Sequence, residues 1–363
     1  MTQGPHPLLH NEMLPVEIVL APGWWHRHEG ITFDEDFFFH PAKRVEAERR
    51  MENALYRRWG RFGLGADHDK LLPIVGPVHL AAGFLLSEML GCAVEYSADG
   101  PPLVRAANRE SLDLSPEAAF QSPAYRRWQS LCDALQTRHG GLLGDINWSG
   151  VLNLALDLRG QAVFLDMLDK PAEASRFFAQ IAAVIERFTQ TMFAKTGSTS
   201  ISVNRTVRCL RPTVYLHSEC SLTMVSTGDY ERFLLPLDAD WSRRLRPFGI
   251  HYCGKDPHRY ADVFARLPHL DFLDLGWGGD VARLRRALPD TFLNIRYSPV
   301  EIVHHTPDQI RQTIRRLVRE SGNPWLTGVC CINMDENVSD EQITALLEEV
   351  ETLRAEYRKL NRC

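Results

Sequence analysis

Short runs of apolar, β-branched and aromatic residues alternate along the chain with longer stretches whose apolar positions recur at helical spacing. This is the pattern of a parallel sheet wrapped in helices. The strand candidates are Val16–Leu20, Leu71–Gly76, Leu142–Asn147, Thr213–His217, Phe248–Tyr252, Phe272–Leu275, Phe292–Arg296 and Leu326–Cys331. Between them, Arg44–Arg58 is charged and amphipathic, and Glu173–Lys195 carries helical spacing with Pro171 placed to start it. Tyr230–Leu245, Val281–Leu288, Asp308–Glu320 and Asp340–Leu360 supply the later helices. Eight strands separated by helices fit one closed (β/α)8 barrel better than an open sheet. The expected fold is therefore a single α/β TIM barrel over residues 1–363, with an N-terminal extension and an insertion in its first half. The insertion falls in Cys92–Gln136, whose character is mixed, with Gly100-Pro101-Pro102 as a turn.

Composition changes this picture little. Hydrophobic residues make up 44% of the 363 and charged residues 24%, enough for a large core. A formal charge of -5, with both signs mixed along the chain, lacks the clustered Lys and Arg of a nucleic-acid or anionic-membrane surface. The first residues show no basic segment followed by an apolar one, and Val78–Leu86 falls far short of a membrane span, so a cytoplasmic protein is expected. The eight cysteines have no regular spacing and do not read as a disulfide framework. Cys92, Cys132, Cys209 and Cys363 read as small apolar residues; the other four fall at strand ends.

In a barrel of this kind the chemistry sits at the C-terminal ends of the strands. There the chain places Trp24-Trp25-His26-Arg27-His28-Glu29, Asp145-Ile146-Asn147-Trp148, His217-Ser218-Glu219-Cys220, His251-Tyr252-Cys253 and Cys330-Cys331. His251 and Cys253 are two residues apart, so on a strand both point to one face. An imidazole and a thiolate are good zinc ligands, and a catalytic zinc takes three protein ligands and keeps one position open. A third ligand would come from Cys330 or Cys331. These neighbours face opposite ways, and periodicity does not choose between them.

The second half resembles the uroporphyrinogen decarboxylase superfamily, in its corrinoid-dependent branch that includes the methylcobalamin:coenzyme M methyltransferases. The resemblance lies in SLTMVSTGDYERFLLP, GIHYCG, LDFLDLGWGGDVARLRRALPDTFLNIRYSPVEIVHHTPDQIRQTIRRLV and GVCCINMDENVSDEQITALLEEV, within residues 213–355. It is weaker earlier, at GFLLSEMLGCAVEY and FLDMLDKPAE. It implies a barrel whose His-x-Cys…Cys motif holds zinc through His251, Cys253 and Cys331, with Cys330 replacing the family's glycine. It also implies methyl transfer between a corrinoid, carried by a partner protein, and a small molecule.

Glu219 is the first choice for a fourth ligand or a catalytic group, with Cys220 and Asp280 behind it. His28 could move protons. His26, Arg27, Glu29, Asp145, Asn147 and Trp148 could contact substrate, and Trp277, Gly278 and Asp280 the cofactor. In the decarboxylase branch the first strand leads to an arginine-containing motif for carboxylates, and only Arg27 corresponds to it here. A metal-free decarboxylase and a non-catalytic metal- or cobamide-binding protein are the competing readings. Asp256-Pro257-His258 begins like a cobalamin-carrier signature but ends in Ala261, and reads instead as a helix start.

Overall fold

A computed structural model describes residues 6–9, 12–67, 72–75, 83–144, 149–197 and 210–360. Ten strands occur: β1 Val16–Leu20, β2 Ile74–Val75, β3 Ala93–Glu95, β4 Leu103–Arg105, β5 Leu143–Gly144, β6 Tyr215–Ser218, β7 Phe248–His251, β8 Phe272–Asp274, β9 Phe292–Arg296 and β10 Thr327–Met334. Each of the eight strand candidates overlaps one of them, β6 and β10 running one and three residues past the expected ends; the extra two, β3 and β4, form an antiparallel hairpin inside the expected insertion. Six strands form a curled parallel sheet in the order β1-β10-β9-β8-β7-β6, and β2 pairs in parallel with β5. Among the described residues no strand pairing joins the two sheets. The backbone of β2 is met instead by a helix, Pro41–Trp59: Arg44 Nε donates to the Ile74 carbonyl at 3.2 Å, and Ile74 N–H donates to Glu48 Oε2 at 2.9 Å.

Every residue of β6, β7, β8 and β9 is buried, because helices cover the outer face of the sheet while side chains fill the inner one. Helix Pro307–Ser321 shows how sequence sets this layer. Ile310, Ile314, Leu317 and Val318 turn one apolar stripe inward. Thr306 and Gln309 form a reciprocal capping box at its start, and Gly322 ends it at φ +71°. Tyr230–Leu245, expected as one helix, divides into Thr227–Phe233 and Leu235–Arg244, because Pro236 has no N–H to continue the first. Trp24–Glu29, expected as a strand-end loop, is part of a helix, Pro22–Glu29, with proline at its start and Gly30 at φ +60° closing it. No helix among the described residues is long and apolar enough to cross a membrane.

Parallel register aligns the inward residues in rows across the sheet. Ser218 lies beside His251, His251 beside Asp274, Asp274 beside Asn294, and Asn294 beside Gly328. Gly328 is needed there: a Cβ would stand 2.6 Å from Asn294 Oδ1. Gly150, which caps helix Val151–Arg159, is tighter still. Its Cβ would lie 1.5 Å from the Ser218 carbonyl, so only glycine lets this helix abut the end of β6. Gly150→Ala is expected to cost about 1–3 kcal/mol or more in urea unfolding. An unchanged denaturation midpoint would contradict this packing.

Candidate metal centre

The row above Ser218 and His251 brings Cys220 and Cys253 together. Cys220 opens a short 3-10 turn after β6, and Cys253 lies two residues past the end of β7. Among the described residues, the ligand atoms of Cys220, His251 and Cys253 lie within 4.8 Å of one another. They form one wall of a cavity of about 420 Å³. Its other walls are helix Val151–Arg159, through Asn153, Leu156 and Asp157, and the β3–β4 hairpin, through Leu103 and Val104. Pro102, of the turn expected within Cys92–Gln136, lines it as well.

Beneath the cluster is a buried ionic network. His251 Nδ1 is hydrogen-bonded to Asp274 Oδ2. Arg296 Nη2 donates to the same oxygen at 3.0 Å, and Asn294 Nδ2 donates to Asp274 Oδ1 at 2.9 Å. Burial alone would raise the Asp274 carboxyl, but Arg296 and His251 overcome it and hold the group below its ordinary value. Burial likewise opposes charge on His251, yet Asp274 raises its pKa overall. With Asp274 ionised, Nδ1 of His251 carries a proton and donates it. Nε2 is the nitrogen left with a free lone pair, the arrangement in which a carboxylate orients a metal-binding histidine.

The thiols of Cys220 and Cys253 act on each other through a side-chain hydrogen bond. A hydrogen bond from Cys220, supported by His251, pulls the Cys253 thiol well below its ordinary value against the effect of burial. Its partner Cys220 is pushed up by the same contact and by burial. Two sulfurs and an imidazole nitrogen, one sulfur already favouring its anion, suit zinc, whose bonds to these donors are roughly 2.0–2.3 Å.

Cys331, expected as the third ligand, is not in this group. The inward member of the pair is Cys330, whose Sγ accepts from Asn294 Nδ2 at 3.3 Å, and strand alternation turns Cys331 to the other face. Glu219 does not reach the cluster either. It is fully buried with His217 and Asp238. Tyr230 OH donates to Asp238 Oδ2 at 2.7 Å, and burial together with Asp238 raises the Glu219 carboxyl well above its ordinary value. Val151 N–H donates to His217 Nε2 at 3.3 Å, so His217 holds its proton on Nδ1, facing Asp238 at 2.8 Å. A protonated Nδ1 is no metal ligand, which leaves the cysteine–histidine group as the better donor set.

The remaining expected site residues sit elsewhere. Trp24 and Trp25 are buried packing residues, and His28 lies against the Trp24 ring, with centroids 4.7 Å apart. His28 Nε2 contacts the Glu336 carbonyl at 3.0 Å, Arg27 donates to Asn337 Oδ1 at 3.3 Å, and His26 Nδ1 lies 3.3 Å from the Ile31 carbonyl. Glu29 pairs with Arg57 at 3.1 Å and Arg58 at 3.0 Å. None of the four lines the cavity. Trp277 and Gly278, the latter at φ +77°, make the turn after β8, and Asp280 caps helix Val281–Ala287 by accepting from Arg283 N–H at 2.8 Å. Asp145, Asn147 and Trp148 lie outside the described residues. Cys220 was weighed only as an alternative to Glu219, and its place depends on a turn that strand periodicity does not foresee.

Comparison with solved structures gives a methyltransferase from Methanosarcina mazei at TM-score 0.66 and 12% identity, covering 94% of each chain. A B12-independent methionine synthase from Shewanella sp. W3-18-1, in complex with selenomethionine, matches at TM-score 0.52 and 10% identity, over 96% of this chain and 98% of that one. At such identities the likeness establishes a shared fold. No protein-family model matches the chain, and no curated protein matches it.

In metal-free protein, iodoacetamide is expected to alkylate Cys253 nearly as fast at pH 6 as at pH 8, because a lowered pKa keeps the thiolate present at both. Cys132 and Cys330, pushed up to about 12 by burial, should stay unlabelled. Mass spectrometry reads both. A rate at Cys253 rising about tenfold per pH unit would contradict the hydrogen-bonded thiol pair.

Proposed function

We propose that the chain is a zinc-dependent methyltransferase that moves a methyl group between a corrinoid and a small molecule held in the cavity. The observation that carries this reading is the convergence of Cys220, His251 and Cys253 at the C-terminal ends of adjacent parallel strands, on the wall of a small pocket. In this reading the six-stranded sheet and the β2–β5 pair close, with the helices that cover them, into a full eight-stranded barrel, and the three residues hold zinc. When bound, the ion would supply a Lewis acid that lowers the pKa of a substrate thiol. Asp274 fixes the His251 ring, Arg296 and Asn294 fix Asp274, and the hairpin and helix Val151–Arg159 exclude water from the reacting sulfur.

A cavity of about 420 Å³ suits a small molecule. A corrin macrocycle is far larger, so the corrinoid is a co-substrate that approaches the mouth, presented by a partner protein. Transfer would be a displacement at the methyl carbon between sulfur and cobalt, the bond to one forming as the bond to the other breaks and its electron pair stays with the leaving atom. The decarboxylase alternative is disfavoured because no Lys or Arg is among the described residues lining the cavity to hold a carboxylate.

Purified protein is expected to carry about one zinc per chain, lost in His251→Ala and Cys253→Ser. Asp274→Asn should weaken zinc binding by about 10–100-fold in a chelator competition. Loss of absorbance from methylcobalamin in the presence of thiols then reads the reaction. Zinc absent from the purified chain, or retained in both ligand variants, would overturn the reading.

A further inference from the structure

The cavity says something further about what binds in it. Lining the same cavity as the cysteines and His251, Asn153 and Asp157 stand one helical turn apart on one helix. Asp157 is the one carboxylate among the described lining residues, and no Lys or Arg accompanies it. Ser87, itself fully buried, donates to Asp157 Oδ2 at 2.7 Å and fixes the carboxylate's orientation without neutralising it. No ion pair involves Asp157 among the described residues, and burial raises its pKa with only the Ser87 hydrogen bond opposing. Beside it, Asn153 Oδ1 is buried with no hydrogen-bond partner. The Asp157 carboxylate thus lines the pocket with an unsatisfied amide oxygen buried behind the same wall, and a ligand that donates hydrogen bonds would suit this side of it. Leu103, Val104 and Leu156 give the cavity its apolar lining, beside the small polar side chains of Ser149, Ser218 and Ser221.

We infer that the small molecule is an amine carrying its reacting sulfur a few carbons away, an aminothiol or its methyl thioether, bound with its ammonium on Asp157. This rests on the metal reading above for the sulfur end alone. A carboxylate or sulfonate in the same place would meet Asp157 with like charge and find no Lys or Arg among the described lining residues to receive it.

The amine end is tested on metal-free protein, by calorimetric binding of butylamine, butanol and butyrate. Butylamine is expected to bind at least about tenfold more tightly than butyrate. Asp157→Asn should remove that advantage and leave butanol unchanged. Leu103→Lys places a cation on a half-exposed residue of the rim, where folding tolerates it, and should weaken butylamine while strengthening butyrate. On zinc-loaded protein, 2-aminoethanethiol should outrank 2-mercaptoethanol, and both should outrank 2-mercaptoethanesulfonate. Butyrate or the sulfonate binding as well as the amines, or an unaltered ranking in both variants, would overturn the inference. An amine preference that persists while thiols gain nothing from zinc would support the amine site and count against the metal reading instead.

Discussion

Three strands meet at the buried contact of His251, Asp274 and Arg296, and the inner face of the sheet is organised around it. Each of these groups is almost wholly removed from water. Burying a charge is expensive unless it is paired and hydrogen-bonded, and removing one partner of such a set costs about 3–5 kcal/mol because the other charge is stranded. Asp274 therefore holds two partners at once, with Asn294 occupying its second oxygen. A slip of one residue in β7, β8 or β9 would turn that strand's member of the set to the helix-covered face and strand its partners. The network consequently fixes register as well as charge.

The candidate centre inherits its geometry from that constraint. Because Asp274 claims Nδ1 of His251, the other ring nitrogen faces the cavity, and the parallel register sets Cys253 above it. Cys220 arrives from β6 through a turn whose position depends on the glycine-only contact between Gly150 and the Ser218 carbonyl. The same helix that Gly150 starts carries Asn153 and Asp157 into the lining of the cavity. One close backbone approach thus locates both the sulfur side and the acceptor side of the pocket.

Much of the frame was legible in the sequence. Apolar runs located all eight parallel strands, and the helical periodicity of Glu173–Lys195 and Asp340–Leu360 matched Pro171–Thr196 and Asp340–Leu360 closely. His251 and Cys253 were legible because their two-residue spacing on a strand determines a shared face. What failed to show was whatever depends on short-range turns and tertiary packing. The Trp24–Glu29 segment carried helix signals in Pro22 and Gly30, but its charged residues suggested a mouth loop. Glu219 and Cys220 are adjacent, and only the register of β6 reveals that the carboxyl lies under helix Leu235–Arg244 while the thiol faces the cavity. The same alternation separates Cys330 from Cys331, a choice that resemblance made one way and the strand register makes the other.

X-ray absorption at the zinc edge tests the central claim most directly, because it counts the donors that hold the ion. The zinc-loaded protein is predicted to show two sulfurs at roughly 2.3 Å together with imidazole scattering. Cys220→Ser should remove one sulfur, and Cys331→Ser should leave the spectrum unchanged. A shell without sulfur, or one that loses sulfur in Cys331→Ser and keeps it in Cys220→Ser, would contradict the account.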